Sequence, residues 1–227
     1  MHQDIAARIH SVQQAIDLAS LKASTTKTVT LIAVSKLQSQ TTIEEAYSLG
    51  LRHFGENYAQ ELAQKAAACP QDIVWHFIGP IQTNKLKLIA ETASWVHSID
   101  RIKVAKKLDA ACKDLNKTIS ILIQVNIDDE SSKSGIKPEE VINFATELNT
   151  HYSNLKLKGL MFMPNIQASD VDKLITYSRI QELHDSLVMI FPECYELSLG
   201  TSGDFQDAIV AGSSMVRIGE MLLGARA

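Results

Sequence analysis

Only three of the 227 residues are cysteines, Cys69, Cys112 and Cys194, and they stand far apart. They offer neither the paired ligands of a zinc site nor the even count of a disulfide framework, so no metal and a reducing, cytoplasmic setting are expected. An excess of one charge sign is also missing, because 22 Lys and Arg face 26 Asp and Glu for a formal net charge of -4. The basic residues are spread along the chain, which argues against nucleic acid as a partner. No uncharged run approaches a membrane span, and the first residues, with Asp4 and polar side chains through Gln14, hold no apolar signal core. The chain is therefore expected to be soluble, unprocessed and without a membrane partner. Two nucleotide motifs are absent as well: there is no G-x-G-x-x-G after the first β-rich segment and no G-x-x-x-x-G-K, so dinucleotide and P-loop sites lack their mechanical parts.

What the chain does contain is an alternation. Ile5, Ile9, Val12, Ile16 and Leu21 recur at helical spacing, so Gln3 to Leu21 reads as an amphipathic helix, followed by a polar connection at Ser24 to Lys27. Eight β-rich segments follow, at Thr30 to Val34, Arg52 to Phe54, Ile73 to Ile78, Trp95 to Ile99, Ile119 to Ile127, Leu157 to Met163, Cys194 to Leu199 and Met215 to Ile218. A helical pattern follows each strand, the first with Thr41 as a plausible N-cap and Glu44 three residues on. Strands alternating with helices imply right-handed crossovers and a parallel sheet, and eight of them suggest closure. The fold expected is α/β, a single (β/α)8 TIM barrel over residues 1–227, with residues 1–24 as an extra N-terminal helix packed on it. An open doubly wound sheet is the alternative.

A parallel barrel does its chemistry where the C-terminal ends of its strands emerge. The first strand delivers Ser35 and Lys36 to that face. A lysine there reads either as a side chain reaching solvent or as a Schiff-base amine in a semi-buried site that lowers its affinity for a proton. After the seventh strand comes S-L-G-T-S-G-D, Ser198 to Asp204, which Ser202 or Asp204 could cap as it enters a helix, and after the eighth comes R-I-G-E, Arg217 to Glu220. Glycine turns opening into helices suit an anion, and phosphate sites in barrels frequently follow strands seven and eight. A lysine facing a phosphate cup fits pyridoxal 5′-phosphate, which carries an aldehyde at one end and a phosphate at the other. His53, His76 and His97 read as satisfied structural histidines, and Glu56 as either a cap or part of a local network.

Seven motifs, A-V-S-K (Ala33 to Lys36), F-G-E-N-Y-x-Q-E (Phe54 to Glu61), W-H-F-I-G-P-I-Q-T-N-K (Trp75 to Lys85), Q-V-N-I…K-S-G-I, G-L-M-F-M-P, S-L-G-T-S-G-D-F and V-R-I-G…G-A-R, run over nearly the whole chain. In these the sequence resembles the YggS/PROSC family of pyridoxal phosphate homeostasis proteins, which have the barrel of the alanine racemase N-terminal domain without the second domain. The resemblance implies a Schiff base between Lys36 and pyridoxal 5′-phosphate, with Asn57 approaching the cofactor. It implies Ser198, Thr201, Ser202 and Gly219 around the phosphate and Arg217 at the pyridine nitrogen, where an arginine cannot accept a proton and leaves the ring a weak electron sink. The expected role is cofactor homeostasis and carriage by a monomer, with transient contact to pyridoxal-phosphate-dependent apo-enzymes and no robust catalysis. A racemase or aldolase is the alternative, with Tyr58 or His76 as its base. Two departures stand out: Thr201 replaces the usual methionine of S-x-G-M-S, and Glu220 replaces a Thr or Ser after R-I-G. Glu220 is expected to turn its side chain away from the phosphate.

Overall fold

A computed structural model describes residues 4–23, 28–130, 133–165 and 167–225. Its first element is α1 (Ile5–Lys22), whose N-terminus is capped by Asp4 accepting from the Ala7 N–H at 2.8 Å. Ile5, Val12, Ile16 and Ala19 are buried, Ile9 packs partly against the core, and α1 leans on the last two helices. Leu21 departs from the expected stripe and is 76% exposed, because it falls off the buried face in the last turn. The Ser24 to Lys27 connection and Gln3 lie outside the described residues.

Eight parallel strands then close into one barrel in sequence order, β1 (Thr30–Val34), β2 (His53–Glu56), β3 (Val74–Phe77), β4 (Trp95–Ile99), β5 (Ile119–Val125), β6 (Leu155–Phe162), β7 (Glu196–Thr201) and β8 (Met215–Ile218). The expected (β/α)8 architecture is the one observed, and the open doubly wound alternative is excluded by the pairing of β1 with β8, Thr30 opposite Met215 and Ala33 opposite Ile218. Outside the barrel run α2 (Gln40–Ser48), α3 (Ala59–Ala68), α4 (Leu86–Thr92), α5 (Ile102–Asp114), α6 (Val141–His151), α7 (Asp170–Ile190), α8 (Phe205–Val210) and α9 (Glu220–Leu223). The cap of α2 is Ser39, whose Oγ accepts from the Thr42 N–H at 3.1 Å; Thr41 lies inside the helix.

Most of the apolar core lies between strands and helices, where Ile43, Leu62, Ile89, Leu108 and Ile180 cover residues such as Phe54, Phe77 and Ile121. The barrel interior holds a separate small cluster of Ile32, Leu122, Met161 and Met215, with Trp95 against it. Such interiors are ordinarily filled by layers of branched aliphatic side chains. Here polar residues take several of the places, and this sets up the site.

Candidate functional site

β1 stops at Val34, and Ser35, Lys36 and Leu37 form the turn that leaves it. Leu37 has φ 59°, a left-handed conformation that costs a side-chain-bearing residue about 1–2 kcal/mol. Its N–H donates to Glu61 Oε1 at 2.6 Å, which holds it there. On the other side of Lys36, the Ser35 N–H donates to the Gly55 carbonyl at 3.0 Å and the Ser35 hydroxyl to Glu56 Oε1 at 2.6 Å. Beneath the turn, the Lys65 ammonium donates to the Ser35 carbonyl at 2.6 Å, to Glu56 Oε1 at 2.8 Å and to Glu61 Oε1 at 2.7 Å. Lys36 is thus half-buried and leaves the barrel from a turn fixed at the residue before it and the residue after it.

The same cluster leaves one buried oxygen, Glu56 Oε2, without a hydrogen-bond partner among the described residues. Burial pushes the Glu56 carboxyl above its ordinary range, while hydrogen bonds from Lys65 and Ser35 pull it back. Of the two readings of Glu56, the local network is the one found. The α3 N-cap position belongs to Tyr58, which makes no side-chain cap bond.

Strands β7 and β8 end in two glycine turns. Gly200 has φ +95°, and a Cβ built on it would lie 2.6 Å from the Ala208 Cβ and 2.9 Å from the Phe205 Cα, so only glycine lets α8 fold back this closely. Asp204 occupies the N-cap position of α8, but its carboxylate turns back to take the Thr201 N–H at 2.7 Å, the Thr201 hydroxyl at 3.0 Å and the Tyr177 hydroxyl at 3.0 Å. Ser202 is half-buried and lines a cavity of ≈ 330 Å³ with Asp204, Val12 of α1 and Met221 of α9. Gly219 follows β8 at the N-cap position of α9, with the Val34 carbonyl 3.5 Å from where its Cβ would stand. Barrel closure therefore sets this turn beside the end of β1, two residues before Lys36. Glu220 is exposed.

Asn57 leaves β2 half-buried in a similar way. The residue against it is Gly79, where an added Cβ would fall 2.2 Å from the Asn57 carbonyl oxygen, and Gly79 is itself pinned by the Ser98 hydroxyl donating to its carbonyl at 2.6 Å. Asn57 is seated by backbone contact.

Below these turns a continuous polar series crosses the barrel. His53 Nδ1 lies 3.0 Å from His76 Nε2, His76 Nδ1 lies 2.9 Å from His97 Nε2, and His97 Nδ1 lies 2.9 Å from Ser198 Oγ. Arg217 Nη1 donates to the same Ser198 Oγ at 2.5 Å and Nη2 to the Phe162 carbonyl at 2.9 Å. Burial, then the neighbouring histidines, hold His76 well below the ordinary imidazole value, and burial with the Arg217 charge does the same to His97. Burial also draws Arg217 down to about 10, and it remains a cation at neutral pH.

Residues 4–227 match the family model described as "Alanine racemase, N-terminal domain". A pyridoxal phosphate homeostasis protein of Vibrio alginolyticus is 45% identical over 207 residues, covering 89% of this chain and 88% of the relative. Another, of Vibrio cholerae, is 42% identical over 229 residues, covering 99% and 94%. The chain belongs to the pyridoxal phosphate homeostasis protein family. Among solved structures, PipY of Synechococcus elongatus without PLP superposes with a TM-score of 0.88 at 29% identity, over 97% of this chain and 100% of that one. PipY with PLP bound gives 0.84 over the same shares.

In this homeostasis-family chain the turns carrying Lys36 and Gly219 are neighbours through the β1 and β8 pairing, and Thr201 lies opposite Arg217 in the β7 and β8 pairing. The Ser198 hydroxyl faces the barrel interior, toward His97 and Arg217. Both hydrogens of Thr201 are committed to Asp204. The bonds of Lys65 to Ser35, of Glu61 to Leu37 and of Tyr177 to Asp204 had no signal in the sequence, since 24 to 30 positions separate the partners and only the fold joins them. The three histidines had one, a histidine on each of three consecutive strands. Adjacent parallel strands bring such residues into contact.

Proposed function

We propose that this chain binds pyridoxal 5′-phosphate reversibly through a Schiff base on Lys36 and serves in homeostasis and carriage of that cofactor, as a monomer and without robust turnover. The observation that carries this is the barrel closure that sets the fixed Lys36 turn beside the Gly219 turn, with the buried Arg217 guanidinium between β7 and β1. The residues present fit the group. The Lys36 amine meets its aldehyde, the amide groups about Ser202 and Gly219 suit its phosphate, and Arg217, a donor without acceptor capacity, suits an unprotonated pyridine nitrogen. Thr201 acts by shaping the turn through Asp204, and Ser198 by holding Arg217 from inside the barrel. Asn57 borders the cofactor from the β2 side. The exposed Glu220 leaves its backbone N–H for the anion while its carboxylate stays in solvent.

When bound, the cofactor supplies a reactive aldehyde and an electron-withdrawing ring. The protein's part is to bind, to orient and to limit that reactivity. Lys65, Glu56 and Glu61 fix the turn from which the amine projects, and a cationic Arg217 keeps the ring a poor electron sink. The racemase or aldolase reading finds less support, because both His76 nitrogens are engaged inside the barrel and Tyr58 is 55% exposed. Release to apo-enzymes follows from a reversible bond in a small barrel.

Titration of the protein with pyridoxal 5′-phosphate, followed by the visible band of the imine, tests this reading beside a Lys36→Ala control. A band that needs Lys36 and passes to an added apo-enzyme supports carriage. Substantial Lys36-dependent amino-acid racemisation or retro-aldol cleavage would replace it with an enzymatic function.

A further inference from the structure

The polar series inside the barrel has a direction. Arginine donates and never accepts, so the bond from Arg217 Nη1 fixes Ser198 Oγ as its acceptor. Among the described residues, the one hydrogen of that hydroxyl has a single other partner in contact, His97 Nδ1. His97 Nδ1 is then bare, and a neutral His97 carries its hydrogen on Nε2, facing His76 Nδ1. The same step repeats from His76 Nε2 to His53 Nδ1. The reverse polarity would give Ser198 two donors and strand its own hydrogen in a fully buried place, the costly outcome for a polar group. Three imidazoles in one tautomer follow from one guanidinium.

We propose that Ser198, His97, His76 and His53 are positioning residues for Arg217, forming a one-way hydrogen-bond relay from the strand-end face of the barrel to His53, the first residue of β2. The inference rests on the reading that Arg217 serves the pyridine ring. Because the Ser198 hydrogen is spent on His97, the hydroxyl presents only lone pairs to Arg217, and the guanidinium is held by two oxygens on two different strands. The neutrality of His76 and His97 fits the relay, since a cationic member would set donor against donor. Trp95 stacks on His76 at 5.8 Å and 14° between planes, closing one side of the relay with a ring that cannot compete for its hydrogens.

The test uses the full-length ¹⁵N-labelled protein without pyridoxal phosphate at pH 7.5. Long-range ¹H–¹⁵N correlation of the histidine rings, assigned with single His→Gln variants, is expected to find His53, His76 and His97 neutral with hydrogen on Nε2. A hydrogen on Nδ1 of His76 or His97, or a cationic ring at either, overturns the relay. His97→Leu is expected to shift and broaden the Arg217 side-chain N–H signals and to weaken pyridoxal phosphate binding roughly tenfold, the scale of one buried hydrogen bond. His97→Gln, which can accept from Ser198 and donate to His76, is expected to restore both; unchanged Arg217 signals in His97→Leu contradict the proposal. Should His97→Leu not fold, Ser198→Ala cuts the same link and the tautomers of the unaltered protein decide alone. The ring and guanidinium signals need no cofactor, so failure of the binding reading leaves them interpretable.

Discussion

The Lys65 ammonium lies 2.8 Å from the Glu56 carboxylate in an ion pair whose side chains are 9% and 0% exposed. Breaking such a pair from one side leaves a buried charge without its partner, at a cost of roughly 3–5 kcal/mol. Lys65→Met is therefore expected to lower stability by about that much in urea unfolding and to loosen the Lys36 turn. The double variant Glu56→Leu with Lys65→Met removes both charges and is expected to recover most of the stability but not the fixed turn. Equal losses in the single and double variants would mean that packing of the lysine stem, and not the ion pair, carries the cost.

Acid sensitivity follows from the buried imidazoles. His76 and His97 sit well below their ordinary value of 6.5 in the folded chain, so the unfolded chain binds more protons just below that pH. Their contribution to stability is full above pH 6.5 and is lost as pH falls toward their folded values. Two such groups give a slope of roughly 2–3 kcal/mol per pH unit in that window. Glu56 works the other way: its raised carboxyl contributes below its ordinary 4.5 and loses that contribution as pH climbs through the folded value. Urea unfolding at pH 7, 6 and 5 should show falling stability, with a shallower slope in a His76→Gln variant. A stability flat across that range would contradict neutral buried histidines.

Three glycines near the strand ends should respond differently to alanine. A Cβ at Gly79 or Gly200 would meet atoms at 2.2 Å and 2.6 Å, whereas at Gly219 the nearest atom is at 3.5 Å. Gly79→Ala and Gly200→Ala are expected to cost at least about 2 kcal/mol, through overpacking and, at Gly200, a left-handed backbone. Gly219→Ala should stay within about 1 kcal/mol of the parent. Thermal unfolding of the three variants checks the ranking, and a Gly219 variant as damaged as the others would mean that its turn is packed more tightly than the distances indicate.

Much of this architecture could be read from residue patterns because each strand is short, β-rich and followed by a helix. Trp95 to Ile99 and Met215 to Ile218 begin and end where apolar residues meet serine, aspartate or glycine, and Thr30 to Val34 ends where Val34 meets Ser35. The end of β2 was less legible. Gly55 and Glu56 are poor strand formers by propensity, yet Gly55 belongs there because a Cβ would press on Ile32 at 3.0 Å, and Glu56 because Ser35 and Lys65 satisfy it. Lys36, Arg217 and Gly219 could be singled out by their places after strands. The bond between Ser198 and His97 could not, since 101 positions separate them and only closure in this register joins β4 to β7 across the barrel.

Borohydride reduction of the protein after incubation with pyridoxal 5′-phosphate, followed by peptide mass mapping, tests most directly whether the amine of Lys36 holds the cofactor. A phosphopyridoxyl group on the peptide containing Lys36, absent in Lys36→Ala, is the result expected. The same group on Lys133, which pairs with Glu130 at 2.9 Å, or on any other lysine in place of Lys36 would contradict it.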